Sequence, residues 1–222
     1  MSKGLFITGT GTDIGKTYVT ALIVKKLQEA GLGAGYYKAA LSGAQSITDS
    51  DAGFVKRFSG ITQSEETMVS YLYQNAVSPH LAAKKEGNPV SLSKIKQDYD
   101  RVCEMYNYVT VEGSGGIVCP VRWDESEHIL LEDVVKVLRL KALIVADAGL
   151  GAIHAVVTAS EYMRNHGILA KGIILNHYIG DELQRDNLRM IEELTRVPVI
   201  ACVGSGDTEL SLDAGKLAGF FE

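Results

Sequence analysis

Lys16 and Thr17 end the stretch Leu5-Phe-Ile-Thr-Gly-Thr-Gly-Thr-Asp-Ile-Gly-Lys-Thr17, in which an apolar run enters a glycine-rich turn and then a helical pattern. A polyphosphate needs backbone N–H groups and a cation brought close without bulky side chains in the way. Gly9, Gly11 and Gly15 suit the bends, Lys16 is spaced to reach the β/γ-phosphates, and Thr17 offers a hydroxyl to Mg²⁺. The usual spacing puts a glycine where Thr10 stands, and Gly9 lies one position further back. Strand, glycines, Lys-Thr and helix nonetheless arrive in order, which predicts a nucleotide site.

Other polar residues follow apolar runs in the same way. Lys38 closes Gly35-Tyr-Tyr-Lys and precedes Ser42-Gly43; such a lysine either neutralises a transferring phosphoryl group or an oxyanion, or sits solvated at a strand edge. Glu112 follows Val109-Thr-Val and opens Glu112-Gly-Ser-Gly-Gly116, a place suited to holding Mg²⁺. Asp51 either joins that ion or, like Asp49, caps the helix they precede. Asn176 ends Gly172-Ile-Ile-Leu, with an amide able to read an adenine edge or to form a turn. Asp147 ends another apolar run, and Ala148-Gly-Leu-Gly151 leads into a helix whose free N–H groups suit a carboxylate, or is a plain strand–helix joint.

The elements that must position these residues alternate between short apolar strands and helices. Helices are predicted over Lys16–Ala30, Asp49–Phe58, Pro79–Lys85, Leu92–Tyr106, Leu130–Leu138, Ile153–Asn165 and Leu183–Leu194. Strands are predicted after the opening run at Gly35–Lys38, Met68–Tyr73, Tyr108–Val111, Ala142–Ala146, Lys171–Asn176 and Val199–Val203. Right-handed crossovers then give an α/β fold with a largely parallel sheet and helices on both faces. Ligands sit beyond the strands' C-terminal ends. At 222 residues, 46% hydrophobic and 22% charged, one domain spanning residues 1–222 is expected.

Composition excludes several classes. A net charge of −5 argues against a general nucleic-acid or anionic-membrane surface. No apolar run is long enough to span a bilayer, and no charged leader precedes one, so a cytoplasmic protein is expected. Cys103, Cys119 and Cys202 suggest buried free thiols rather than disulfides or a metal cluster. His80, His128, His154, His166 and His177 show no metal-ligand spacing.

The ordered set of the Gly-Thr-Asp-Ile-Gly-Lys-Thr17 loop, Lys38 with Ser42-Gly43, Asp51, Ser78-Pro-His80, Glu112-Gly-Ser-Gly-Gly116 and Asn176 resembles the dethiobiotin synthetase family over nearly the whole chain. The resemblance implies a homodimeric, Mg²⁺- and ATP-dependent ligase that closes a cyclic urea on 7,8-diaminononanoate with CO₂. It places Asp13, Ile14, Gly15, Lys16, Thr17 and Tyr18 around the phosphates, and Thr17, Asp51 and Glu112 at the magnesium. Thr12, Lys38 and Ser42 would face the diamine and its carbamate, with Lys38, Lys16 and Thr12 as the catalytic set. The backbone of Glu112, Gly113, Ser114 and Gly115 would lie between nucleotide and substrate, and Asn176 with Gly204, Ser205 and Gly206 would hold adenine. Gly151 to His154 and Asn187 would meet the substrate's far carboxylate across the dimer.

The chain also departs from the family's pattern. Ala39 stands where proline is common and Leu41 where a polar residue is common, so the segment carrying Ser42 is expected to be less rigid or differently lined. His154 replaces an asparagine, and Gly204-Ser-Gly206 replaces a proline-containing adenine loop, which predicts relaxed nucleotide preference. The rival reading is a partner-regulated switch ATPase of the plasmid- or division-positioning type. Such proteins usually carry an extra lysine where this chain has Thr10-Gly11, and Asp213–Glu222 lacks a basic amphipathic membrane helix. A corrinoid amidase would need a glutaminase domain, and a small-molecule kinase an arginine-rich lid, for which Arg122 alone stands.

Overall fold

The computed structural model describes residues 2–221; Met1 and Glu222, the end of the C-terminal segment considered above, lie outside them. Among the described residues the strands are β1 (Lys3–Gly9), β2 (Ala34–Ser42), β3 (Val69–Tyr73), β4 (Tyr108–Gly116), β5 (Pro120–Trp123), β6 (His128–Leu130), β7 (Ala142–Asp147), β8 (Ala170–Asn176) and β9 (Val199–Val203). The helices are α1 (Lys16–Glu29), α2 (Asp51–Ser59), α3 (Pro79–Glu86), α4 (Leu92–Met105), α5 (Leu131–Leu138), α6 (Ala152–Asn165), α7 (Glu182–Thr195) and α8 (Ala214–Ala218). Seven strands form one sheet in the order β3-β2-β4-β1-β7-β8-β9, and each of its pairings is parallel. The chain leaves β1 to one side through β2, β3 and β4, then crosses to the other for β7, β8 and β9. That reversal opens the crevice at β1's C-terminal end where ligands bind in such sheets.

The strands read as continuous apolar runs because both faces are covered. Leu5, Ile7, Leu143, Val145 and Ile174 pack with Val19, Leu22, Ile23 and Leu27 of α1, Val55 of α2 and Leu217 of α8. Phe6, Val109, Val111, Ile144 and Leu175 face the other way, against Ile95 and Val102 of α4, Val134 and Val135 of α5, Val156 and Met163 of α6 and Ile191 of α7.

Most predicted elements are present, with ends shifted by one or two residues. Two strands run further than their apolar letters: β2 continues through Ser42 and β4 through Gly116. The segment from Ala39 to Ser42 is therefore not a loop, because β3 pairs with it from Lys38↔Val69 to Ser42↔Tyr73. The β5–β6 hairpin, a 3₁₀ turn at Glu65–Thr67 and α8 carry too short a pattern to be read from the sequence. Asp124 makes the hairpin's turn, its Oδ1 accepting from the Ser126 and Glu127 N–H groups at 2.9 Å each.

The edge of β2 carries a device that supports the site. The β2–β3 pairing starts at Lys38, so the preceding Tyr36 has no strand partner on that side. Gln63, fully buried, fills the gap: its Oε1 accepts from Tyr36 N at 2.8 Å and its Nε2 donates to Tyr36 O at 2.9 Å. One side-chain amide thus stands in for a strand residue. Gln63→Leu leaves both Tyr36 backbone groups buried and unpaired, and about 3 kcal/mol of destabilisation is expected. Urea denaturation of the two proteins measures it, and a loss below about 1 kcal/mol would show that water replaces the amide.

Candidate active site

The phosphate loop is held by geometry rather than by charge. Thr10 N donates to Val145 O at 3.0 Å, pinning the loop's start to β7. Gly15 caps α1 in the left-handed region at φ 79°, and a Cβ there would lie 2.0 Å from Asn176 Nδ2. A Cβ on Gly9 would lie 2.7 Å from Ile14 Cδ1, whereas one on Gly11 meets nothing within 4 Å. Gly9 and Gly15 are thus required by packing, and Gly11 keeps the open side of the loop clear. No side chain caps α1 and no acidic residue stands in its first turn, so its N-terminal N–H groups stay available to an anion.

Beside the loop lies a buried charge cluster centred on Glu112, which is 1% exposed. The β2–β4 register sets Lys38 opposite Glu112. Lys38 Nζ donates to Glu112 Oε1 at 2.9 Å and to Asp51 Oδ2 at 2.6 Å. Thr17 Oγ1 donates to Glu112 Oε1 at 2.7 Å, and Tyr36 Oη to Oε2 at 2.9 Å. Burial disfavours the Lys38 ammonium, but the Glu112 and Asp51 carboxylates outweigh it and hold its pKa above the ordinary lysine value. Burial likewise pushes Asp51 up, and the charge and hydrogen bond of Lys38 more than reverse this. Burial and the Glu112 charge keep the Tyr36 phenol protonated, well above its usual range.

Lys16 is different. Burial lowers its pKa, Glu112 opposes that, Lys38 adds to it, and the further pull of Asp51 does not restore the ordinary value. A cleft of about 990 Å³ opens over this cation, lined also by Thr12, Asp13, Gly15, Thr17, Lys38, Leu41, Ser42, Asp51, Ser114 and Gly115. Asp51, Glu112 and Thr17 present only oxygen donors, which suits a hard divalent cation. Among the described residues no group of three or more His, Cys, Asp or Glu forms a closed cage. The chemistry of this donor set fits a hard divalent cation such as Mg²⁺.

An AAA-domain family model matches residues 3–208. The ATP-dependent dethiobiotin synthetase of Brachyspira hyodysenteriae is 49% identical over 223 residues, covering all of both chains. That of Clostridium botulinum strain Eklund 17B is 46% identical over 91% of each. The chain belongs to the dethiobiotin synthetase family. Among solved structures, the Aquifex aeolicus MinC:MinD complex aligns with TM-score 0.58 at 15% identity, over 91% of this chain and 81% of that one. A ParA family ATPase of Chlorobium tepidum aligns with TM-score 0.59 at 12% identity, over 93% and 86%. At such identities the likeness reaches no further than the fold.

The family's expected site residues fall into three places. Thr12, Asp13, Gly15, Lys16, Thr17, Lys38, Ser42, Asp51, Ser114 and Gly115 line the one cleft, with Glu112 beneath it. Ser50, not Asp49 or Asp51, caps α2, its Oγ accepting from Ala52 N at 3.2 Å. Ser42 Oγ donates to Val77 O at 2.6 Å and Ser114 Oγ to Ala40 O at 2.6 Å, so both hydroxyls also tie down the cleft's wall. Gly113 is needed by the core: a Cβ would lie 2.8 Å from the Phe6 ring.

The second place is across the loop, where Asn176 Nδ2 donates to Ile14 O at 2.9 Å. Tyr18 lies there too, its hydroxyl donating to Asp207 O and its ring against Phe54 and Phe58. It anchors the loop of Gly204, Ser205 and Gly206 to α1, and Gly204 N donates to Asp207 Oδ2 at 2.7 Å. The third is the β7–α6 turn, with Gly151 and His154 exposed. Asn187 is 5% exposed and donates to Ala148 O at 3.0 Å and Gly149 O at 2.9 Å, so it supports this turn from beneath.

Ala76, Val77, Ser78, Pro79 and Cys119 also line the cleft. Sequence reading missed Cys119 there and took it only as a buried thiol; its apolar setting gave no signal. Burial raises its pKa against the pull of Lys16. His80 stands apart, its Nδ1 buried without a partner among the described residues.

Two predictions follow from the unequal lysines. Lys38→Met leaves the Glu112 carboxylate buried beside an apolar chain, and about 3 kcal/mol of destabilisation at neutral pH is expected from urea melts. The Lys38 share of stability is complete below its unfolded pKa and fades as pH rises through its raised folded value; the Asp51 share holds above its unfolded pKa and fades as pH falls through its lowered folded value. Nucleotide binding should weaken as pH climbs through the lowered pKa of Lys16, with proton uptake on binding in that range. Calorimetry in two buffers of different ionisation enthalpy reads this, and Lys16→Met should abolish the uptake.

Proposed function

We propose that this chain catalyses the ATP-dependent conversion of 7,8-diaminononanoate and CO₂ to dethiobiotin, ADP and phosphate. The observation that carries the reading is the 49% identity, over the full length of both chains, to an ATP-dependent dethiobiotin synthetase. The cleft supports it by setting an uncompensated Lys16 beside the Lys38–Glu112–Asp51 cluster.

One substrate amine adds to CO₂ to give a carbamate, whose oxygen leaves poorly until ATP phosphorylates it. The second amine then attacks the carbamic-phosphoric anhydride, closing the five-membered ring and releasing phosphate. Such transfer needs alignment and charge neutralisation more than a protein nucleophile. The loop backbone with Lys16 holds the phosphates, and Thr12, Lys38 and Ser42 hold the carbamate beside them. Mg²⁺, held by Thr17, Asp51 and Glu112, would neutralise phosphate charge when bound.

The reading includes adenine at Asn176 and Gly204 to Gly206, a homodimer, and a cytoplasmic setting. Leu150, 93% exposed in the β7–α6 turn that carries Gly151, gives apolar surface there. Covering that surface with a second copy would close the turn over the substrate's tail carboxylate. No described helix is long and apolar enough to cross a membrane.

The test is phosphate release from MgATP with and without the diamine and bicarbonate, with mass detection of product. Release that needs both additions and yields dethiobiotin is expected, and Lys16→Ala should abolish it. Lys38→Ala should cut turnover at least about hundred-fold with little loss of nucleotide binding. Equal ATP turnover without the diamine would overturn the reading.

A further inference from the structure

Asp147 ends β7 and His177 follows the last residue of β8, and neither lines the cleft. Their carboxylate and ring are paired: His177 Nδ1 lies 2.7 Å from Asp147 Oδ2. The other ring nitrogen, Nε2, lies 3.3 Å from Asn176 Nδ2. Asn176 Nδ2 in turn lies 2.9 Å from Ile14 O in the phosphate loop. Four groups in sequence thus connect the surface to the nucleotide loop.

The chemistry of each atom fixes the direction of the chain. Ile14 O is a carbonyl and only accepts, so the Asn176 atom facing it is the amide nitrogen. Asp147 is ionised: burial raises its pKa, but the His177 contact and the Gly149 N–H, 2.7 Å from Oδ1, more than offset this. A carboxylate on Nδ1 selects the tautomer with its proton there, which leaves Nε2 as an acceptor. Nε2 therefore takes the second hydrogen of Asn176 Nδ2. Both amide hydrogens are then committed inside the protein, and Oδ1 receives no donor from the described residues. His177 holds a left-handed φ of 55°, a region in which histidine, asparagine and aspartate are the commoner side-chain-bearing residues.

We infer that the Asp147–His177 pair is a positioning and specificity device: by locking the Asn176 amide it presents only an acceptor to the nucleobase. A base with an exocyclic amino group then gains a hydrogen bond, and one with a keto oxygen at the same place meets repulsion. Ile14 O fixes which amide atom faces the loop, and His177 takes the second hydrogen; without His177 that hydrogen would be free to donate to a keto oxygen. The inference rests on the reading of Asn176 as a base contact, and it opposes the relaxed selectivity that the Gly204-Ser-Gly206 loop alone suggests.

The test compares ADP with IDP, which carry amino against keto at purine carbon 6 and, with that change, a bare against a protonated N1; the variants keep every N1 contact and alter only the pair behind Asn176. Equilibrium binding by calorimetry needs no ligase turnover, so it stands or falls apart from the proposed reaction. The unsubstituted protein should favour ADP at least about five-fold. Asp147→Asn can donate to Nδ1 and drive the proton to Nε2, which turns the ring's acceptor into a donor facing Asn176. The ADP/IDP ratio should then fall towards one. His177→Asn, a residue that tolerates positive φ, should do the same without disturbing the backbone. A purely structural role would weaken both nucleotides equally and leave the ratio unchanged. That outcome in both variants, or no preference in the unsubstituted protein, overturns the inference. If the ratio behaves as expected and no dethiobiotin forms, the base device survives and the proposed reaction falls.

Discussion

Everything at the cleft leans on Glu112. Its carboxylate is nearly inaccessible, yet it collects a hydroxyl from α1, an ammonium and a phenol from β2, and through Lys38 the carboxylate that begins α2. A carboxylate in that setting is tolerable only if paired and hydrogen-bonded on both oxygens. The requirement couples four elements: moving any of them leaves a buried charge short of a partner. Pairing of this kind is weak evidence for stability and better evidence for a fixed arrangement. The fixed object is the mouth of the sheet between β4, β1 and β2, where α1 begins.

The sheet makes this arrangement available for reasons of periodicity. Side chains alternate across a strand, so Tyr36 and Lys38 share the face that carries Thr110 and Glu112 on the neighbouring strand. Parallel register then brings Lys38 level with Glu112 without any loop being involved. Tyr36 needs its own backbone held where β3 has not yet begun, and Gln63 supplies that from a segment with no regular structure of its own. A remote amide thus governs the phenol that closes the second oxygen of Glu112.

The α/β class, the parallel sheet and nearly all strands and helices were legible because apolar runs alternating with helical periods admit few arrangements. The phosphate loop was legible because its glycines and Lys-Thr carry their chemistry locally. What could not be read depends on partners far apart in the chain. The pairing of Lys38 with Asp51 and Glu112 joins residues 13 and 74 positions apart. Whether Asp51 capped a helix or faced the site was open in the sequence, and it was settled by Ser50 taking the cap. Gly113 carries a requirement that the glycine-rich pattern did not show: its missing side chain makes room for Phe6. Asn187 is polar and beside a candidate turn, but helical phase buries it.

The two lysines show how one cleft can hold both a satisfied and an unsatisfied charge. Lys38 is the more buried, yet its pKa rises because two carboxylates face it; Lys16 is slightly more open, yet its pKa falls because burial is not matched by counter-charge. A cation short of counter-charge destabilises the resting protein and is relieved when an anion arrives. The carboxylates are close enough to hold Lys38 and to offer hard oxygen donors, but they do not neutralise Lys16. Net positive character is therefore confined to the end of the loop, where the uncapped N-terminus of α1 adds to it. Had Glu112 paired with Lys16 instead, the same charges would sum identically, and the loop would have no cation left for a phosphate. The register of β2 against β4, by fixing which lysine meets Glu112, decides that the free charge lies on the loop and not on the sheet.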